Sequence, residues 1–193
     1  PPLIPSTVTS TAYMFNGAIS FNQDISNWDV TNVTKMDGMF KDATTFNQPL
    51  NTSIIDSGTE YEYTGWNTSN VDDMESMFDG ASAFNQDISG WTVTSVSNMS
   101  SMFNGATAFN QSLNSWTTAS VTDMSSMFQS ATAFNRSIVS WSTGNVTTMT
   151  GMFSGASVFN QNISGWDTSK VTLMTSMFQN SPLFRQYIRV WNT

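Results

Sequence analysis

The stretch Val33-Thr34-Lys35-Met36-Asp37-Gly38-Met39-Phe40-Lys41-Asp42-Ala43-Thr44-Thr45-Phe46 sets the pattern from which the rest of the chain is read. Met36, Met39, Phe40 and Ala43 fall at i, i+3, i+4 and i+7, the apolar stripe of a short helix. The flanks agree with that reading. Thr34 can accept a bond from the orphan amides of a first helical turn, and Asp37 follows where an acid can answer both the cap and the positive helix end. Asp42, like Gly17, Gly80, Gly105 and Gly155 in equivalent places, tolerates the left-handed conformation that ends a helix. The expectation is one helix of about two turns, centred on Met-x-x-Met-Phe.

Outward from this stretch the same register returns along the chain. Met-Phe pairs begin at Met14, Met39, Met77, Met102, Met127, Met152 and Met177, spaced by 25 residues except for one interval of 38. A Phe stands seven residues after each Met (Phe21, Phe46, Phe84 and onward), then an Ile or Leu (Ile25, Leu50, Ile88 and onward). All 7 tryptophans occupy the next column, from Trp28 to Trp191. Such a chain is a repeat protein, in which each unit buries its apolar residues only by stacking on its neighbours. The aromatic and Met columns therefore read as a stacked core.

The other half of each unit, as at residues 21–28, is too short and irregular for a second helix. A brief strand over 23–26 fits it, and successive units would pair such strands into a parallel sheet along one face. The Asn column (Asn22, Asn47, Asn85, Asn110, Asn135, Asn160) reads as a ladder that bonds backbone groups left unpaired by the turn. The expected fold is thus an α/β solenoid with one short strand and one short helix per 25-residue repeat. It forms a single repeat domain over 1–193, with a partial repeat at 1–13 and an insertion at 52–64.

The pattern Val-x-x-Met-x-x-Met-Phe-x-x-Ala-x-x-Phe, as at 33–46, resembles the BspA-type leucine-rich repeats of bacterial and protist surface proteins. Phe-Asn-Gln-Asp-Ile-Ser-x-Trp, present at 21–28 and 84–91, is similar to the 25-residue repeat of a domain of unknown function in bacterial, including mycoplasmal, lipoproteins. The resemblance implies a curved, leucine-rich-repeat-like solenoid with an adhesive or binding role at the cell surface or outside the cell. It supplies no catalytic residues.

Charge and composition narrow the function. The 193 residues carry a formal charge of −8 and include neither cysteine nor histidine. Without a basic patch the chain has no means of offsetting phosphate charge, so nucleic acid and anionic membranes are poor partners. The missing residue types remove thiol nucleophiles, the imidazole base of a hydrolase triad and the usual zinc sites. No calcium-loop motif occurs, and no cofactor is expected. Asp72 with Asp73, or Asp56 with Glu60, could in principle pair carboxylates, but isolated surface acids are far more often solvated charge. Leu3 and Val8 continue the Trp and Val columns, and the last residues stop just past Trp191, which points to a fragment of a longer protein whose export signal and anchor lie elsewhere.

One segment breaks the register. Residues 52–64 add to the unit that begins at Met39 a run that alternates Glu60-Tyr61-Glu62-Tyr63 after Asp56-Ser57-Gly58, a hairpin pattern. An insertion at a coil corner must project, and tyrosines on a projecting element are common contact anchors. Asp56, Glu60, Tyr61, Glu62 and Tyr63 are therefore the expected partner-binding residues. The function expected is non-enzymatic recognition or adhesion, with protein or glycan as the partner. The alternative is binding of a regular array such as ice or a crystalline polysaccharide, prompted by Thr, Ser and Asn recurring on the repeat period.

Overall fold

The computed structural model describes residues 4–191, so Leu3 lies outside the described residues. Each repeat is a coil of consecutive tight turns. Among the described residues there is no helix, and the only strands are β1 (Ser53–Ile55) and β2 (Tyr63–Gly65), which form one antiparallel hairpin. This overturns the expected α/β leucine-rich-repeat-like solenoid: 36–43 is not helical, 23–26 is not a strand, and no parallel sheet runs along a face.

The hydrogen bonds give the reason. The amides of Met39, Lys41 and Ala43 close turns on the carbonyls of Met36, Gly38 and Phe40 at 3.2, 3.1 and 3.0 Å. Between them, the amides of Met36, Gly38, Phe40 and Asp42 donate to Asp73, Glu75, Met77 and Asp79 in the following coil at 3.1, 2.7, 2.9 and 2.6 Å. A helix cannot do this, since it commits each interior amide to its own chain four residues back. The alternation needs left-handed residues four apart, and Gly38 (φ +58°) and Asp42 (φ +56°) supply them. Ser76 with Gly80, Ser101 with Gly105, Ser126 with Ser130, Gly151 with Gly155 and Ser176 with Asn180 repeat the pair. Along the edge of this ladder, isolated parallel pairings link Ser10, Lys35, Asp73, Asn98, Asp123, Thr148 and Leu173 from coil to coil, and none lengthens into a strand.

The turns bring the apolar columns to one interior. Met36, Met39, Phe40, Ala43, Phe46 and Leu50 are fully buried, and so are their counterparts in the central coils. Phe40 stacks on Phe46 within its coil at 4.1 Å and on Phe78 of the next at 5.5 Å, a pattern continued at Phe103, Phe128, Phe153 and Phe178. The tryptophans line this core and reach backward with their indole N–H groups. Trp66 donates to the Ile25 carbonyl, Trp91 to Leu50, Trp141 to Leu113 and Trp166 to Ile138. Buried indoles need such acceptors.

The asparagine column forms the expected ladder. Asn22 Oδ1 accepts the Asn47 amide at 2.9 Å, Asn47 accepts that of Asn85, and the series runs through Asn160, which accepts that of Arg185. The Gln that follows adds a second bond: Gln86 and Gln111 donate to the Asn carbonyl and side chain of the preceding coil. From Asn47 onward the backbone of this column is held by these side chains, where a strand would have used the amides and carbonyls of its neighbour.

Candidate functional site

The hairpin occupies the corner between Leu50 and Trp66, where other units turn directly. Ser53 pairs with Gly65, Ile54 with Thr64 and Ile55 with Tyr63. Its loop is tied internally. Asp56 takes φ +52°, its carbonyl accepts both the amide and the hydroxyl of Thr59, and Glu62 Oε2 accepts the Gly58 amide at 2.8 Å.

Its base is fixed to the coil on either side. Thr52 Oγ1 lies 3.2 Å from the carbonyls of both Trp66 and Gly90, the latter in the following coil. The Tyr63 hydroxyl donates to the Asn27 carbonyl of the preceding coil. Gly65 allows the close approach: a Cβ there would come within 3.2 Å of the Ser26 carbonyl oxygen.

The five expected residues therefore divide. Asp56, Glu60, Tyr61 and Glu62 are exposed, with Tyr61 at 72 % of its full area. Tyr63 is half-buried and turned onto the stack, so it holds the hairpin in place and does not present it. Burial raises the Tyr63 phenol above its ordinary pKa, and the negative charges of Asp56 and Asp29 add to this. Ile54, not singled out by the sequence reading, is 55 % exposed. Its signal was available: in a hairpin where Ile55 faces inward beside Tyr63, the alternation of side chains sends Ile54 outward. The presented set is thus an aromatic ring, an aliphatic side chain and three carboxylates.

Elsewhere several acidic groups are engaged within their own coil or with the next. Lys35 Nζ lies 2.8 Å from Asp72 and 3.6 Å from Asp73, and the hydrogen bond that the ammonium donates to Asp72 leads the raising of the Lys35 pKa. Asp73 also accepts the Glu75 amide. Asp24 and Asp87 each accept the amide two residues on, and this bond from Ser26 holds the Asp24 carboxyl below its usual value. Among the described residues no three acidic side chains converge as a metal-ion site.

A protein-family model matches the chain in three overlapping segments, residues 5–64, 52–145 and 114–193; its description is "Mycoplasma protein of unknown function, DUF285". Comparison with curated proteins and with solved structures returns no match.

Proposed function

The chain belongs to the family described as Mycoplasma protein of unknown function, DUF285, and from that premise we propose that it is a non-enzymatic recognition module binding protein or glycan through the projecting hairpin. The observation that carries this reading is the exposure of Tyr61 and Ile54 beside Asp56, Glu60 and Glu62, on an element anchored at both sides of its base. The repeat columns are committed to packing and to bonds between coils. The hairpin alone leaves that register, and a rigidly mounted aromatic costs little entropy when it is captured. The acids favour a partner surface carrying Lys or Arg, or a glycan that offers hydroxyls to carboxylates. The likeness of the repeat to those of BspA-type surface proteins supports a position on the cell surface or outside the cell.

The test is a glycan and protein binding screen with the whole chain, repeated with a chain in which Asn51 is joined directly to Gly65 and with Tyr61→Ala. Retained folding with binding lost on removal of 52–64, and binding weakened at least about tenfold by Tyr61→Ala, is the expected result. Undiminished binding without the hairpin would move the site onto the regular repeat face.

A further inference from the structure

The hairpin projects from a stretch of uncompensated negative charge. Between Lys41 and Arg136 the sequence holds neither lysine nor arginine, while Asp56, Glu60, Glu62 and Asp87 all fall in that interval. The two bases that precede it are engaged on the coil-to-coil ladder. Lys35 pairs with Asp72 and Asp73, and Lys41 with Asp79 at 2.7 Å. Among the described residues no base is paired with a carboxylate of the hairpin.

The adjoining coils add charge at the hairpin's base. On the preceding side, Ser26 lies close to Gly65 and the Asn27 carbonyl accepts the Tyr63 hydroxyl. Asp24 and Asp29 stand two residues to either side of that contact. The Asp29 charge reaches the Tyr63 phenol, as that of Asp56 does. On the following side, Asp87 accepts the Ser89 amide at 2.9 Å, next to the Gly90 carbonyl that accepts the Thr52 hydroxyl. Asp24 and Asp87 are both exposed.

This charge distribution discriminates between ligands. A neutral glycan would leave the mutual repulsion of these carboxylates in place and an anionic one would add to it, whereas a cation relieves it. The apolar side chains suit the same ligand. Tyr61 offers an exposed ring face to a Lys or Arg head. Ile54 offers an aliphatic surface to the methylene stem of such a side chain.

We propose that the partner bound at this corner is a protein segment rich in Lys and Arg, and that Asp24, Asp29 and Asp87 of the adjoining coils share with the hairpin in holding it. This choice of partner rests on the hairpin being the binding element, and it decides for protein over glycan at that site. Steering by the clustered acids makes the association fast at low salt and slower as salt screens them.

Isothermal titration calorimetry of the whole chain with a synthetic peptide alternating Lys and Leu should show saturable binding that weakens as salt is raised. The Glu–Leu counterpart, and neutral and sulfated oligosaccharides, should not bind. Asp56→Asn combined with Glu60→Gln should weaken the peptide about tenfold, and Tyr61→Ala to a similar extent. Asp24→Asn combined with Asp87→Asn should weaken it about threefold. Asn keeps the acceptor oxygen that Asp24 and Asp87 offer to the Ser26 and Ser89 amides, and circular dichroism checks the fold. Asp123→Asn combined with Asp167→Asn removes the same charge away from the hairpin, in columns where Asn98 and Asn67 already stand, and should leave binding unaltered. An equal loss in that control would reduce the effect to overall charge and overturn the proposal. So would a Lys–Leu peptide that does not bind; a neutral oligosaccharide captured in its place through the hairpin would keep the hairpin as the site. Peptide binding unchanged in the chain that joins Asn51 to Gly65 would remove both.

Discussion

Trp116 lies mid-stack, 2 % exposed, with its ring 6.5 Å from that of Trp141 and 6.4 Å from that of Phe103 and its indole N–H on the Ile88 carbonyl at 3.2 Å. Trp116→Ala removes the largest side chain of its coil from a column that neighbouring coils hold in place, so little collapse can refill the space. It should cost about 3–5 kcal/mol in urea melts, and a loss below about 1 kcal/mol would contradict the packing described. A second residue-scale effect arises in the backbone. Gly105 sits at φ +67°, where an added Cβ would meet only Gly80 at 3.6 Å, an ordinary contact. Gly105→Ala therefore isolates conformational cost from steric clash, and should lose about 1–2 kcal/mol. Ser101→Gly, at φ +56°, should shift the melt in the opposite direction.

At the scale of the element, attachment of the hairpin should fail in alkali. The Tyr63 phenol has a raised pKa, so the folded state holds its proton more tightly than the unfolded chain does. Its contribution is therefore intact below the ordinary tyrosine value of about 10 and is lost as pH rises through the raised one. Ultraviolet titration should show a phenol step above the ordinary tyrosine range, and Tyr63→Phe should remove it. That the insertion forms a hairpin is legible in the sequence, but the alternating Glu60-Tyr61-Glu62 belongs to its loop, and only Tyr63 of that run enters β2. The coil itself is not legible. Residues at i, i+3, i+4 and i+7 return to one face in a helix, and in this protein they also do so in a run of overlapping turns; spacing alone does not separate the two. What separates them is Gly38 and Gly151 in the middle of the supposed helix, where glycine costs about 1 kcal/mol. The Ser residues that fill the same column elsewhere hid that signal. The second left-handed column, at Asp42 and Gly80, is equally what a helix end would carry. The register of the core was readable because each column repeats a residue type. The sequence alone presents Tyr63 as a contact anchor, because nothing local reveals that its hydroxyl meets Asn27, 36 residues back.

For the whole molecule, stability should be a sum over junctions. Each interior coil bonds and packs only against its two neighbours, so removing 25-residue units from Met102 onward should lower the urea midpoint stepwise while the far-UV spectrum per residue stays nearly constant. Global unfolding on loss of one unit would point to a single closed core. The methionine columns carry a chemical consequence of the same arrangement. Met36, Met74, Met99, Met124 and Met149 are shut off from solvent together with the Met-Phe pairs of the central coils, whereas Met14 is 53 % exposed and Met174 partly so. A brief peroxide pulse should convert Met14 to its sulfoxide first and leave the central thioethers untouched. Because a sulfoxide is polar and cannot repack in an aromatic interior, each oxidised outer coil would loosen and expose the next, so that damage should advance inward from the ends and mass spectrometry should record it coil by coil.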